Sequence, residues 1–140
     1  MSELRPILLI EDDARALEET LAVLANLRLA NRIEVARSEA EARTALAADP
    51  PGVVLLTLGR DPAREAALLA DLRAEARGPA VLALAPAAAV EALRREHPGL
   101  EVRAAPLTRE ALLEAVENVG LAWGIVALAA ARGAYTPPRT

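Results

Sequence analysis

The chain has 140 residues, 54% hydrophobic and 26% charged, which suits one domain with a real core and excludes disorder. Its net charge of −4 argues against nucleic acid as a partner, and without cysteine it has neither disulfides nor thiolate metal sites. The opening Met-Ser-Glu-Leu-Arg lacks signal-peptide features, and the longest uncharged helical run, residues 119–131, falls short of the roughly 20 residues a bilayer span needs, so a cytoplasmic location and no membrane contact are expected.

In chain order, Pro6 to Ile10 is a short apolar run that predicts a strand. Leu17, Leu21 and Leu24 then recur at helical spacing, and Arg32 to Ala36 alternates as a strand does. Ser38-Glu39-Ala40-Glu41 has the form of a capping box and predicts a helix to about Ala48, stopped by Pro50-Pro51-Gly52. Val53 to Leu58 is the third strand, broken in its apolar character only by Thr57, and a helix is predicted from Pro62 to Arg77. Gly78-Pro79 leads into a fourth strand, Ala80 to Ala85, and a short helix, Ala87 to Glu96. After the turn His97-Pro98-Gly99 come a fifth strand, Glu101 to Ala104, and a last helix that Thr108 can cap. His97, the only histidine, carries no assigned role.

Short apolar strands alternating with helices predict an α/β domain: a five-stranded parallel sheet, doubly wound as (βα)5 and covered on both faces. In such sheets the functional crevice lies at the carboxyl ends of the strands. There the chain places Glu11, Asp12 and Asp13, then Thr57, then Leu84 and Ala85, then Ala105 and Pro106. Three consecutive acids repel phosphate unless a cation intervenes, and carboxylates suit Mg²⁺; equally, Asp13 can cap the following helix while its neighbours stay solvated. No glycine-rich loop follows any strand, so a nucleotide- or flavin-binding domain of this architecture lacks its usual anion cradle.

Ile7 to Asp13 resembles the first strand and acidic pair of response-regulator receiver domains, the phosphoacceptor modules of two-component signalling. Within that family the chain is most similar to the single-domain regulators associated with bacterial phytochromes. Residues 31–35 and 38–42 match their second strand and helix, and Leu113 to Trp123 their extended last helix. The resemblance covers about residues 5 to 126 and implies the flavodoxin-like receiver fold, with 1–118 as the receiver-like domain and 119–140 as a C-terminal helix extension and tail.

The departures fall on the residues that do the family's chemistry. The position of the phosphoacceptor aspartate is Thr57. The Ser or Thr of the fourth strand is Leu84, the lysine before the proline after the fifth strand is Ala105, and the aromatic switch position is Val102. Only Glu11 and Asp12 carry over as metal-site residues, for weak Mg²⁺ binding at most and otherwise no cofactor. An acyl phosphate needs a carboxylate nucleophile, which a threonine does not supply. The expected function is therefore a non-enzymatic pseudo-receiver, a phosphorylation-independent interaction module whose partner is a histidine kinase, which the resemblance implies is phytochrome-like. The alternative is an active receiver with a relocated phosphosite such as Asp61, although the alignment puts Asp61 outside the pocket. Arg60 is a candidate to neutralise Glu11 and Asp12, with a solvated loop arginine as the plainer reading.

Leu112, Val116, Val119, Trp123, Val126 and Ala130 recur at spacings of four and three, a heptad-like seam. Beyond Asn118 the pattern is apolar on every side, and a helix of that kind must be buried. The surplus apolar surface predicts a homodimer formed through this seam.

Overall fold

The computed structural model describes residues 5–26, 31–59, 61–74 and 78–119, the last four of these through their backbone alone. Five strands and five helices alternate: β1 (Ile7–Ile10), α1 (Ala14–Asn26), β2 (Ile33–Ala36), α2 (Glu39–Ala48), β3 (Val53–Thr57), α3 (Pro62–Arg73), β4 (Ala80–Ala85), a 3₁₀ turn (Ala87–Ala89) running into α4 (Val90–Glu96), β5 (Glu101–Ala104) and α5 (Arg109–Val119). The strands form one sheet in the order β2-β1-β3-β4-β5, every neighbouring pair parallel. This is the doubly wound (βα)5 arrangement expected from the sequence.

Position in the sheet explains the composition of each strand. The three inner strands, Ile7–Ile10, Val53–Thr57 and Ala80–Ala85, are covered on both faces and nearly all apolar. The edge strands carry charge, Glu34 on β2 and Glu101 and Arg103 on β5, which discourages pairing with another chain. The guanidinium of Arg94 also donates to the carbonyl of Val102, 2.9 Å away, and so occupies one acceptor of the β5 backbone.

Strand periodicity sorts the core into two layers. Leu8, Ile10, Val54, Leu56 and Val102 face α2, α3 and α4, where Ala42, Leu68, Leu69 and Val90 meet them. Ile7, Leu9, Val53, Leu55 and Leu84 face α1 and α5, where Leu24, Leu112 and Ala115 meet them.

The helix starts follow local chemistry. Asp13 Oδ2 accepts from the amide of Ala16 at 2.8 Å, so Asp13 is the N-cap of α1. Ser38 Oγ accepts from the amide of Glu41 at 3.1 Å, and Glu41 reaches back to the amide of Arg37 at 2.7 Å, one residue beyond the usual capping-box partner. Asp61 caps α3 with Pro62 in its first turn, and Thr108 Oγ1 accepts from the amide of Ala111 at 3.0 Å at the start of α5. α3 ends at Arg73, four residues short of the expected Arg77. Arg43 bridges α2 to α3; the hydrogen bonds its guanidinium donates to Asp71 first and Glu39 second hold its pKa above the ordinary value, so it stays charged at any ordinary pH.

Leu112 corrects the expected dimer seam. It is 1% exposed and packs with Ile7, Leu9 and Leu24 inside its own domain. A side chain already withdrawn from water gains nothing from a second copy. Of the other seam residues, only the backbone of Val116 and Val119 is described, and Trp123, Val126 and Ala130 lie outside the described residues, as does most of the 119–140 extension. Among the described residues no helix is long and apolar enough to cross a membrane.

Candidate functional site

The register of the parallel sheet brings the strand ends together. Ile10 on β1 pairs with Leu56 on β3, so the next residues, Glu11 and Thr57, stand side by side. Thr57 in turn pairs with Leu84 on β4, and Ala85 with Ala104 on β5. Glu11, Thr57, Leu84 and Ala105, all singled out from the sequence, thus converge on one edge. Val102 does not join them. It lies in the layer facing α4, with 1% of its surface exposed.

Glu11 is the most buried acid of the edge, with 4% exposure. The Thr57 hydroxyl donates to its Oε1 at 2.5 Å, and the amide of Asp13 donates to its Oε2 at 3.1 Å. A buried carboxylate needs such donors to offset lost hydration. Asp12 is exposed, and its carbonyl accepts from Arg37 at 3.3 Å.

Two cavities open at this edge and share Glu11 and Thr57. One, of about 250 Å³, lies between β1, β3, α2 and α3, and its walls include Asp12, Arg37, Asp61 and Arg64. The other, of about 210 Å³, is walled largely by apolar groups, among them Leu84, Ala105, Pro106 and Leu107. The Ala105–Pro106 peptide bond is cis. Leu84 fills its position with a side chain 2% exposed, while its carbonyl accepts from the amide of Leu58 at 2.7 Å.

The expectation that Asp61 lies outside the pocket is corrected: it lines the first cavity. Its carboxylate is engaged as the cap of α3, accepting from the amide of Arg64 at 3.4 Å and pairing with the Arg64 side chain at 3.5 Å. Sequence reasoning also missed Glu65. One of its oxygens accepts from the amide of Gly59 at 2.8 Å and the other from the amide of Asp61 at 3.0 Å, clamping the β3–α3 loop from both sides. Gly59 itself has φ +108°, and a Cβ there would stand 3.1 Å from Pro86 Cδ, so the loop fits closely against the segment after β4. An acid one turn into a helix is the signal that points to such a clamp. Arg60, between the two clamped amides, lies outside the described residues.

The donor set fits a divalent cation poorly. Glu11 already accepts from Thr57 and Asp13, Thr57 contributes a neutral hydroxyl, and among the described residues no three His, Cys, Asp or Glu side chains are grouped to hold a metal.

The arrangement of strands and helices matches the fold of response-regulator receiver domains. The solved structures that the chain resembles are of that class. The bacteriophytochrome response regulator AtBRR is 28% identical over 89% of this chain and 95% of its own, with a TM-score of 0.72. The bacteriophytochrome response regulator RtBRR is 26% identical over 85% of this chain and 80% of its own, with a TM-score of 0.74. The N-terminal signal receiver domain of a two-component response regulator from Bacteroides fragilis, 23% identical over 83% of this chain and 96% of its own with a TM-score of 0.65, shares the fold. No protein-family model and no curated protein sequence matches the chain.

Proposed function

We propose that this receiver domain works without phosphorylation, as a non-enzymatic interaction module in two-component signalling. The observation that carries the reading is the Thr57–Glu11 hydrogen bond at the end of β3. A threonine hydroxyl is not the carboxylate that an acyl phosphate requires, and here its proton is committed to the neighbouring acid. The lysine expected after β5 is Ala105, and the chain contains no lysine elsewhere to replace it. The site therefore lacks that cation to neutralise charge on a transferring phosphoryl group. At the fourth strand a buried leucine stands where a hydroxyl would report the phosphoryl group. Glu11 and Asp12 remain as a weak Mg²⁺ pair at most.

The partner class follows from the similarity to AtBRR and RtBRR, both described as bacteriophytochrome response regulators. A histidine kinase of phytochrome type is the partner we propose, met as a homodimer formed through the C-terminal extension. With its switch positions replaced, the module presents one surface state, occupying a kinase docking face or pairing with a competent regulator.

One observation favours a second reading. Asp61 lines the same cavity as Glu11 and Thr57, which makes it a candidate for a relocated phosphosite. Intact mass after incubation with acetyl phosphate and Mg²⁺ separates the two. No adduct is expected, beside a control receiver that gains one phosphoryl group; a stable adduct mapped to Asp61 replaces the first reading with the second.

A further inference from the structure

Thr20 stands in the middle of α1 with only 4% of its surface exposed. Its hydroxyl has no hydrogen-bond partner among the described residues, an uncommon state for a buried polar group. Nor is it sealed in packing. Among the described residues, Asn31 Oδ1 is the buried side-chain atom that lacks both a partner and access to solvent. The surface left to the Thr20 hydroxyl opens into the smaller of the two edge cavities, about 210 Å³, which Thr20 lines together with Glu11 and Thr57. The Thr57 hydroxyl donates to Glu11, so it turns no proton into this space, while its oxygen keeps lone pairs that accept. Glu19 adds a second carboxylate to the wall, and the described lining residues include neither lysine nor arginine.

We propose that this cavity binds a short primary alkylammonium ion. An ammonium group carries three N–H donors and no acceptor. Thr20 Oγ1, Thr57 Oγ1 and the Glu11 carboxylate set three acceptors around one space, and the carboxylate supplies the opposite charge. Leu84, Pro106 and Leu107 give the alkyl chain an apolar wall. At about 30 Å³ for each water-sized group, a cavity of about 210 Å³ takes a ligand of about seven heavy atoms at most, an amine of about four to six carbons. An anion meets two carboxylates there. A divalent cation meets hydroxyls and hydrocarbon in place of the six or more oxygens it needs. Amine binding calls on neither Asp61 nor a phosphoryl group, so it stands apart from the reading of the edge as phosphorylation-independent.

The test is thermal unfolding of the full chain in increasing n-butylammonium chloride, with ionic strength held constant by sodium chloride. A saturable rise in Tm is expected, half-complete at a concentration on the order of millimolar, the range open to a ligand of so few atoms. n-Butanol has the same chain without the charge, and n-butyltrimethylammonium has the charge without an N–H donor; neither should raise Tm. Thr20→Val keeps the shape and withdraws one acceptor, and should move half-saturation up by about 3- to 10-fold. Ala105→Leu adds bulk at an exposed position of the lining and should abolish the response. A rise shared by n-butyltrimethylammonium is screening of the acidic edge and overturns the site. The absence of a saturable rise in the parent overturns it as well, and that measurement needs no variant to fold. A response that Thr20→Val and Ala105→Leu both leave unchanged places the amine elsewhere and overturns the cavity as its site.

Discussion

In the middle of the sheet Leu8, Val54, Leu55 and Leu82 are fully buried among aliphatic neighbours. At the carboxyl ends of the same strands Glu11, Thr57, Leu84 and Ala105 gather around two small cavities. The first region accepts only apolar volume, because a polar atom there would lose water without gaining a partner. The second sits where the strands end, and there polar side chains such as Thr57 and Glu11 find partners in each other. The sheet, its register and the helix caps are thus specified apart from Thr57, Leu84 and Ala105 at the carboxyl edge.

The largest effect that tests this contrast is in the core. Leu55→Ala removes a side chain packed against α1 and α5 and is expected to cost about 2–5 kcal/mol in urea unfolding. At the edge, Thr57→Asp places a second carboxylate against Glu11, and like charges so close are expected to destabilise the domain by about 1–3 kcal/mol. Millimolar Mg²⁺ should recover much of that loss by binding the folded state, read as a rise in Tm absent from the parent. A Thr57→Asp variant as stable as the parent without Mg²⁺ would show that the two side chains are not adjacent and break the comparison.

Two smaller effects sharpen it. Thr57→Val keeps the shape but withdraws a donor from buried Glu11, and about 1–2 kcal/mol should be lost; Thr57→Ser, which keeps the hydroxyl, should lose less than half as much. Equal losses for the two would assign the effect to packing rather than to the hydrogen bond. Ser38→Ala deletes the cap of α2 at the cavity rim and is expected to cost about 0.5–1 kcal/mol, visible as a small fall in the urea midpoint at unchanged slope.

Local chemistry made much of this legible without coordinates. β4 and β5 run from Ala80 to Ala85 and from Glu101 to Ala104, the bounds that the apolar runs and their Gly and Pro boundaries predict. Ser38 and Thr108 cap where their sequence neighbourhoods say they should. The carboxyl-edge cluster was legible too, because parallel pairing must bring strand ends together once the order of elements is known. Asp61 was misplaced because its distance from the pocket depends on how the β3–α3 loop turns, and that turn is set by Glu65 and by the fit of Gly59 against Pro86.

The sequence by itself determined the (βα)5 order, the apolar inner strands and a threonine, not a carboxylate, at residue 57. These are facts of periodicity and residue type, which need no partner to be read. Only the tertiary structure decided that Leu112 faces its own core and that the Thr57 hydroxyl donates a hydrogen bond to Glu11. Helical spacing states which side chains share a face but not what covers it. That is settled by packing between elements far apart in the chain, where dehydration of the whole assembly selects one arrangement.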